Sequence, residues 1–69
     1  MPTVEAMRDW EVVMRRMEDS GIAEVELVRS PSGAEWGVRV IWLDTGGVEM
    51  EVTKHATKEI ATDQFWTTV

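Results

Sequence analysis

Thr3-Val4-Glu5-Ala6-Met7-Arg8-Asp9-Trp10-Glu11-Val12-Val13-Met14-Arg15-Arg16-Met17-Glu18-Asp19 is the stretch on which the fold turns. Ala6/Met7, Trp10, Val13/Met14 and Met17 recur every three or four positions with charged residues between them, and that period predicts one amphipathic helix over residues 3–19. Thr3 fits the N-cap and Glu5 the first turn, while Arg15 and Arg16 fall in the last two turns, so the charges complement the helix dipole at both ends. Glu11 and Arg15 add an i,i+4 pair in the favourable order. Gly21 then fits the left-handed position just past a helix, with Ile22 able to pack back on Met17. The Met-rich stripe reads as core; left partly exposed, it would favour a helix-mediated homodimer.

Beyond Gly21 the period changes to two. Ala23, Val25 and Leu27 alternate with Glu24 and Glu26, predicting a half-buried strand over 23–29. Ser30-Pro31-Ser32-Gly33 supplies turn chemistry in four consecutive residues. A second strand over 35–43 places Trp36, Val38, Val40 and Trp42 on one face and Glu35, Gly37, Arg39, Ile41 and Leu43 on the other. Asp44-Thr45-Gly46-Gly47 reads as a hairpin loop, and the third strand, 48–53, sets Val48, Met50 and Val52 inward and Glu49, Glu51 and Thr53 outward. The last segment, 56–69, stays open: Ala56 to Ala61 suits a short helix, whereas Phe65-Trp66-Thr67-Thr68-Val69 has the propensity of an edge strand. The expectation is a single α+β domain over 1–69, an N-terminal amphipathic helix packed on a three-stranded antiparallel sheet, finished by a short C-terminal helix or edge strand.

Composition restricts the chemistry. The chain has 69 residues, 13 Asp plus Glu against 7 Lys plus Arg, one His and no Cys. Disulfides, thiolate metal sites, a Cys nucleophile and multi-histidine metal sites are thereby excluded, and no cofactor is implied. A net charge of −6 argues against direct contact with nucleic acid or an anionic membrane, which need Lys and Arg to neutralise phosphate. An electrostatically steered partner should be basic. Met1-Pro2-Thr3-Val4-Glu5 shows no basic n-region and no long apolar run, and Val40-Ile41-Trp42-Leu43 is too short to span a bilayer, so a cytoplasmic location is expected.

Two motifs invite an enzymatic reading. Ile41-Trp42-Leu43-Asp44-Thr45-Gly46 looks like the apolar strand and Asp-Thr-Gly of aspartic proteases. That resemblance implies two carboxylates sharing a proton, and a single copy supplies one; the flap hairpin and second glycine motif of retroviral-type subunits are not evident in this sequence. A hairpin loop explains the residues without catalysis. His55 is a candidate general base as a histidine, the residue type that changes charge near neutral pH, but spacing assigns it no nucleophile and no orienting carboxylate. No P-loop, dinucleotide fingerprint, HExxH or Ca-loop spacing is present. The chain is therefore expected not to be an enzyme.

The surface remains. On the expected fold, Glu24 and Glu26 share an outer sheet face with Glu49 and Glu51, with Glu35 between them. Alternate strand residues lie about 6.7 Å apart, a spacing of the same order as the axial repeat of about 3.4 Å per strand in nucleic acid. Ile41 and Leu43 fall beside these rows, and an apolar patch rimmed by carboxylates suits a protein-binding surface. The ordinary alternative, a polar face that only keeps the sheet solvated, stays open, as does cover of Ile41 and Leu43 by Phe65 or Trp66.

In size, acidity and layout, carried by Glu24, Glu26, Glu35, Glu49 and Glu51, the chain resembles the small phage-encoded inhibitors of host defence, the anti-CRISPR proteins among them. The resemblance implies a nucleic-acid mimic that occupies a basic channel, acting in the host cytoplasm. The expected function is a non-enzymatic acidic interaction protein blocking a basic, nucleic-acid-binding partner, with Ile41 and Leu43 or Phe65 and Trp66 as the desolvated anchor. The alternative is a small structural or assembly protein acting through a homo-oligomer or apolar interface.

Overall fold

Residues 11–18 are extended rather than coiled. In the computed structural model, which describes residues 9–18, 21–46 and 49–68, strand β1 (Glu11–Glu18) pairs antiparallel with β2 (Ala23–Arg29), from Glu11 opposite Arg29 to Glu18 opposite Ala23. The helix expected over 3–19 is overturned throughout 11–18; Thr3 and Glu5 lie outside the described residues. The reason is a period that residue types concealed. Val12, Met14, Arg16 and Glu18 are half-buried, and Glu11, Val13, Arg15 and Met17 are exposed. Arg16 and Glu18 occupy inward positions but count as polar, so the strand period vanished while Trp10, Val13, Met14 and Met17 mimicked a helical stripe. Gly21, with φ of +92°, keeps the left-handed conformation expected of it but serves the connection between two strands.

β1 carries one irregularity. Val12 stands opposite Val28 and Met14 opposite Leu27, so Val13 is an extra residue, a β-bulge. The bulge lets Val12 share the face of Val28 and Met14 the face of Leu27. On an outer strand it also distorts the row of free backbone groups that would invite pairing with another chain.

The sheet continues as a four-stranded antiparallel meander in the order β1-β2-β3-β4, with β3 over Trp36–Trp42 and β4 over Glu49–His55. The turn into β3 forms as its residues suggest. Gly33 N–H donates to Ser30 C=O at 2.9 Å, Gly33 adopts φ of +80°, and Ser30 Oγ accepts from Glu35 N–H at 3.0 Å. After β3, Leu43–Thr45 make one 3₁₀ turn ended by Gly46 at φ of +75°, whose N–H donates to Leu43 C=O at 3.0 Å.

One α-helix follows, α1 (Lys58–Thr67), at the opposite end of the chain from the one expected. Thr57 caps it, its Oγ1 accepting from Ile60 N–H at 3.2 Å, and Glu59 lies in the first turn. Ala61 and Phe65, four residues apart, are its buried residues. They close a core with Ala23, Val25 and Leu27 of β2 and Val38 and Val40 of β3, against which Met14, Trp36 and Trp42 pack. The described architecture is thus four strands and one C-terminal helix, in place of three strands and an N-terminal helix. The question left open over 56–69 is answered by a helix longer than the one read at 56–61.

Arg16 ties β1 to the end of that helix. Its Nε and Nη2 donate to Phe65 C=O at 3.0 and 2.6 Å, and Nη2 also donates to Thr68 C=O. Carbonyls in the last turn lack intrahelical partners and carry the negative end of the helix dipole, so a guanidinium is a fitting cap. Glu18 pairs with Arg16 Nη1 on the same side of β1. The residue that most conceals the strand in the sequence is the one that docks the helix.

Candidate partner-binding surface

Register decides which carboxylates share a face. Val40 stands opposite Val25 on one side and Glu51 on the other, and Ala23 and Glu49 flank Trp42 in the same way. Residues directly opposite in an antiparallel pair point to the same side. Glu49 and Glu51 therefore belong to the register of the helix-covered face, at the β4 edge, whereas Glu24 and Glu26 lie on the open face with Arg39, Ile41, Met50 and Val52. The four glutamates expected on one face are split two and two. The cause is a β3–β4 pairing register one residue away from the one expected, which assigns the alternate set of β4 positions to each face.

The open face is electrically satisfied. Glu26 is 5% exposed at the centre of the sheet. Its Oε1 accepts from Arg39 Nε at 2.7 Å and Nη2 at 2.6 Å, and Arg15 Nη2 stands 4.0 Å from Oε2. Arg15 Nε also lies 3.6 Å from Glu24. A paired row Arg15–Glu26–Arg39 crosses three strands. A carboxylate held this way is a structural ion pair, since stripping it for another partner would leave buried charge behind. On one side of the row Trp10 and Val28 are buried, with Val12 and Val52 against them. On the other, Met17, Glu24, Ile41 and Met50 stand in register, with Met17 53% exposed.

The remaining expected site residues are scattered. Glu35 is exposed in the connection before β3, and Glu51 accepts from Trp42 Nε1 at 3.3 Å. Leu43 sits exposed in the 3₁₀ turn, its N–H donating to Ile22 C=O at 2.7 Å, and Ile41 is half-buried in β3. Neither Phe65 nor Trp66 belongs to an edge strand. Asp44 is exposed in the same turn as Leu43, and His55 is half-buried opposite Trp36, with Nε2 3.0 Å from Thr53 Oγ1. Among the described residues no group of three or more His, Asp or Glu is placed to hold a metal, and no helix is long and apolar enough to cross a membrane.

What the structure brings together instead is the outward side of α1. Lys58, Glu59, Thr62, Asp63 and Trp66 line a shallow, open depression. Spacings of three, four and seven residues put Glu59, Asp63 and Trp66 on one helical face. Trp66 is 60% exposed, more than any other large apolar residue among those described, while its neighbour Phe65 is 1% exposed in the core. Their rings meet edge to face at 4.9 Å, and the Arg16 guanidinium lies 5.8 Å from the Trp66 ring centroid, so the exposed indole is held from beneath. Glu59 and Asp63 did not stand out in the sequence. The signal that would have found them is the i, i+4, i+7 spacing to Trp66, which has meaning only once the helix is carried through residue 67.

In comparisons with known proteins, no family model, no curated protein and no solved structure matches the chain, so the chemistry of this surface rests on these residues alone.

Proposed function

We propose that this chain is a non-enzymatic interaction protein whose acidic surface occupies and blocks a basic partner, of the kind that binds nucleic acid. One observation carries the reading: all four arginines of the described residues, Arg15, Arg16, Arg29 and Arg39, are engaged in ion pairs with glutamates of this same chain. The exposed Asp9, Glu35, Asp44, Glu59 and Asp63 lie outside those pairs. The excess of carboxylates behind the −6 charge is thus presented outward, where it steers a basic surface and adds ion pairs at the rim of a contact. An inhibitor of the anti-CRISPR type, entering a basic channel in place of nucleic acid, is the specific form of this reading. Glu24 and Glu26, already held by arginines, are not among its contact residues.

The test is affinity capture from a cell extract with the immobilised protein at about 50 mM and about 200 mM salt, the range over which contacts made through several charges weaken strongly. Retention of a basic nucleic-acid-binding protein at the lower salt, its loss at the higher, and release of its bound DNA or RNA are expected. Retention of neutral or acidic proteins that is indifferent to salt overturns the reading.

A second reading has its own observation, the register row Met17, Ile41 and Met50 on the open face, in which Met17 and Met50 are exposed. A homo-oligomer covering that row would make this an assembly protein. Sedimentation giving a stable oligomer unaffected by salt, and dissociated by Met17→Glu, supports it over charge-driven inhibition.

A further inference from the structure

We infer that the depression on the outward side of α1 is a receptor for an arginine side chain of a basic partner, stacked on Trp66 and held by the carboxylate of Asp63 with Glu59 beside it. The inference rests on the acidic-inhibitor reading and names its contact site and ligand chemistry.

Three properties of the depression point to a guanidinium. The first is an exposed aromatic ring with neighbours that hold it: Trp66 presents 60% of its surface to solvent, yet its ring meets Phe65 in a T-shaped pair and has the Arg16 guanidinium 5.8 Å from its centroid. An indole is the best of the aromatic side chains for binding a cation through its π face. The second is charge of the right sign at the right distance along the helix. Asp63 and Glu59 precede Trp66 by three and seven residues, on the same face, and no ion pair of the described residues engages them. The third is that the cation nearest the Trp66 ring is already balanced. Arg16 is paired with Glu18 and donates to the carbonyls of Phe65 and Thr68, so it supports the ring from one side without leaving a free charge to repel an incoming one.

Arginine fits this site better than lysine. Its planar guanidinium stacks on an indole while its edge N–H groups donate to a carboxylate, and it gives up hydration more readily than an ammonium. Lys58, eight residues before Trp66 on the helix and with its Nζ 5.7 Å from the Trp36 ring centroid, also lines the depression and disfavours a second cation there, so the site takes one side chain rather than a run of them.

The experiment uses the full chain labelled with ¹⁵N and three capped pentapeptides, Gly-Gly-Xaa-Gly-Gly, in which Xaa is arginine, lysine or citrulline. The arginine peptide is expected to shift the Trp66 indole N–H and the amides of Glu59 and Asp63, with lysine weaker and citrulline, which keeps the shape but lacks the charge, without effect. Trp66→Ala and Asp63→Asn are each expected to weaken the arginine peptide by about two- to fivefold, the range for an exposed cation–π or ion-pair contact, and Trp66→Phe to recover part of the loss. Trp66 is exposed, so these variants retain the core, and unchanged amide shifts in β2 and β3 verify it. Equal shifts from the citrulline peptide, or shifts centred on the open sheet face, overturn the site. The two readings separate in the capture assay: salt-sensitive capture that persists undiminished in Trp66→Ala overturns the site and leaves charge-driven binding standing. Arginine binding at Trp66 with no salt-sensitive capture supports the site and removes the inhibitor role.

Discussion

The two faces of the sheet solve burial in opposite ways. Beneath α1, Val25, Leu27, Val38 and Val40 meet Ala61 and Phe65 in an apolar layer. On the open face of the same two central strands, buried Glu26 is paired with half-buried Arg39, and Arg15 approaches the same carboxylate. The apolar layer draws its stability from area removed from water, which tolerates any side chain of the right size. The ionic row offsets a desolvation cost with specific hydrogen bonds and tolerates almost no change in one partner alone. The contrast shows why an acidic chain holds Arg39 inside its own fold: Glu26, the one carboxylate buried among the described residues, requires a cation.

The sharpest way to break the comparison is to remove the helix's contribution to the first face. Phe65→Ala is expected to destabilise by about 3–5 kcal/mol. For a chain whose whole stability is on the order of 3–10 kcal/mol, urea titration should find it unfolded or nearly so.

The second face is predicted to respond next. Glu26→Ala leaves half-buried Arg39 without its carboxylate and should cost about 3 kcal/mol. Glu26→Leu combined with Arg39→Met should recover most of that loss. A double variant no more stable than Glu26→Ala in the same titration would show that the row does something other than fill the face.

Arg16 joins the two solutions, a charged side chain on the helix-covered face. Arg16→Ala is expected to lower stability by about 1–2 kcal/mol through loss of the helix C-terminal cap. Hydrogen exchange should locate the effect at the amides of residues 64–68 and leave β2 and β3 unchanged.

The smallest effects belong to the exposed loop and helix surface. Trp66→Ala and Asp44→Asn should each change stability by no more than about 0.5 kcal/mol, measured by thermal unfolding. Of the two, only Trp66→Ala should alter partner capture, and loss of function in Asp44→Asn would instead revive the Asp-Thr-Gly reading.

The central hairpin was legible in the sequence and the outer elements were not, for a reason particular residues make plain. Ala23–Arg29 was read to the residue, because Ala23, Val25 and Leu27 advertise their alternation through apolarity and Ser30-Pro31-Ser32-Gly33 marks the turn. β1 is concealed because two of its inward positions are Arg16 and Glu18: Arg16 is held there by helix carbonyls about fifty residues away in the chain, and Glu18 by Arg16. α1 was read short because only Ala61 and Phe65 are buried along it, while Phe65-Trp66-Thr67-Thr68 carries β propensity. The carboxylate array failed on register alone. The alternation of β2, β3 and β4 is visible, but which set of β4 positions stands opposite Val40 depends on the pairing register.

By itself the sequence determined an acidic chain without thiol or multi-histidine chemistry, the turn over residues 30–33, and the apolar identity of β2 and β3. These follow from composition and short-range geometry, which each residue carries with it. Tertiary structure alone decided that residues 11–18 form a strand, that Glu24 and Glu26 are held by arginines, and that Glu59, Asp63 and Trp66 share an open face. Those outcomes depend on pairing between distant segments, where the gain from docking Arg16 on the end of α1 and Phe65 in the core outweighs local preferences of a few tenths of a kcal/mol per residue.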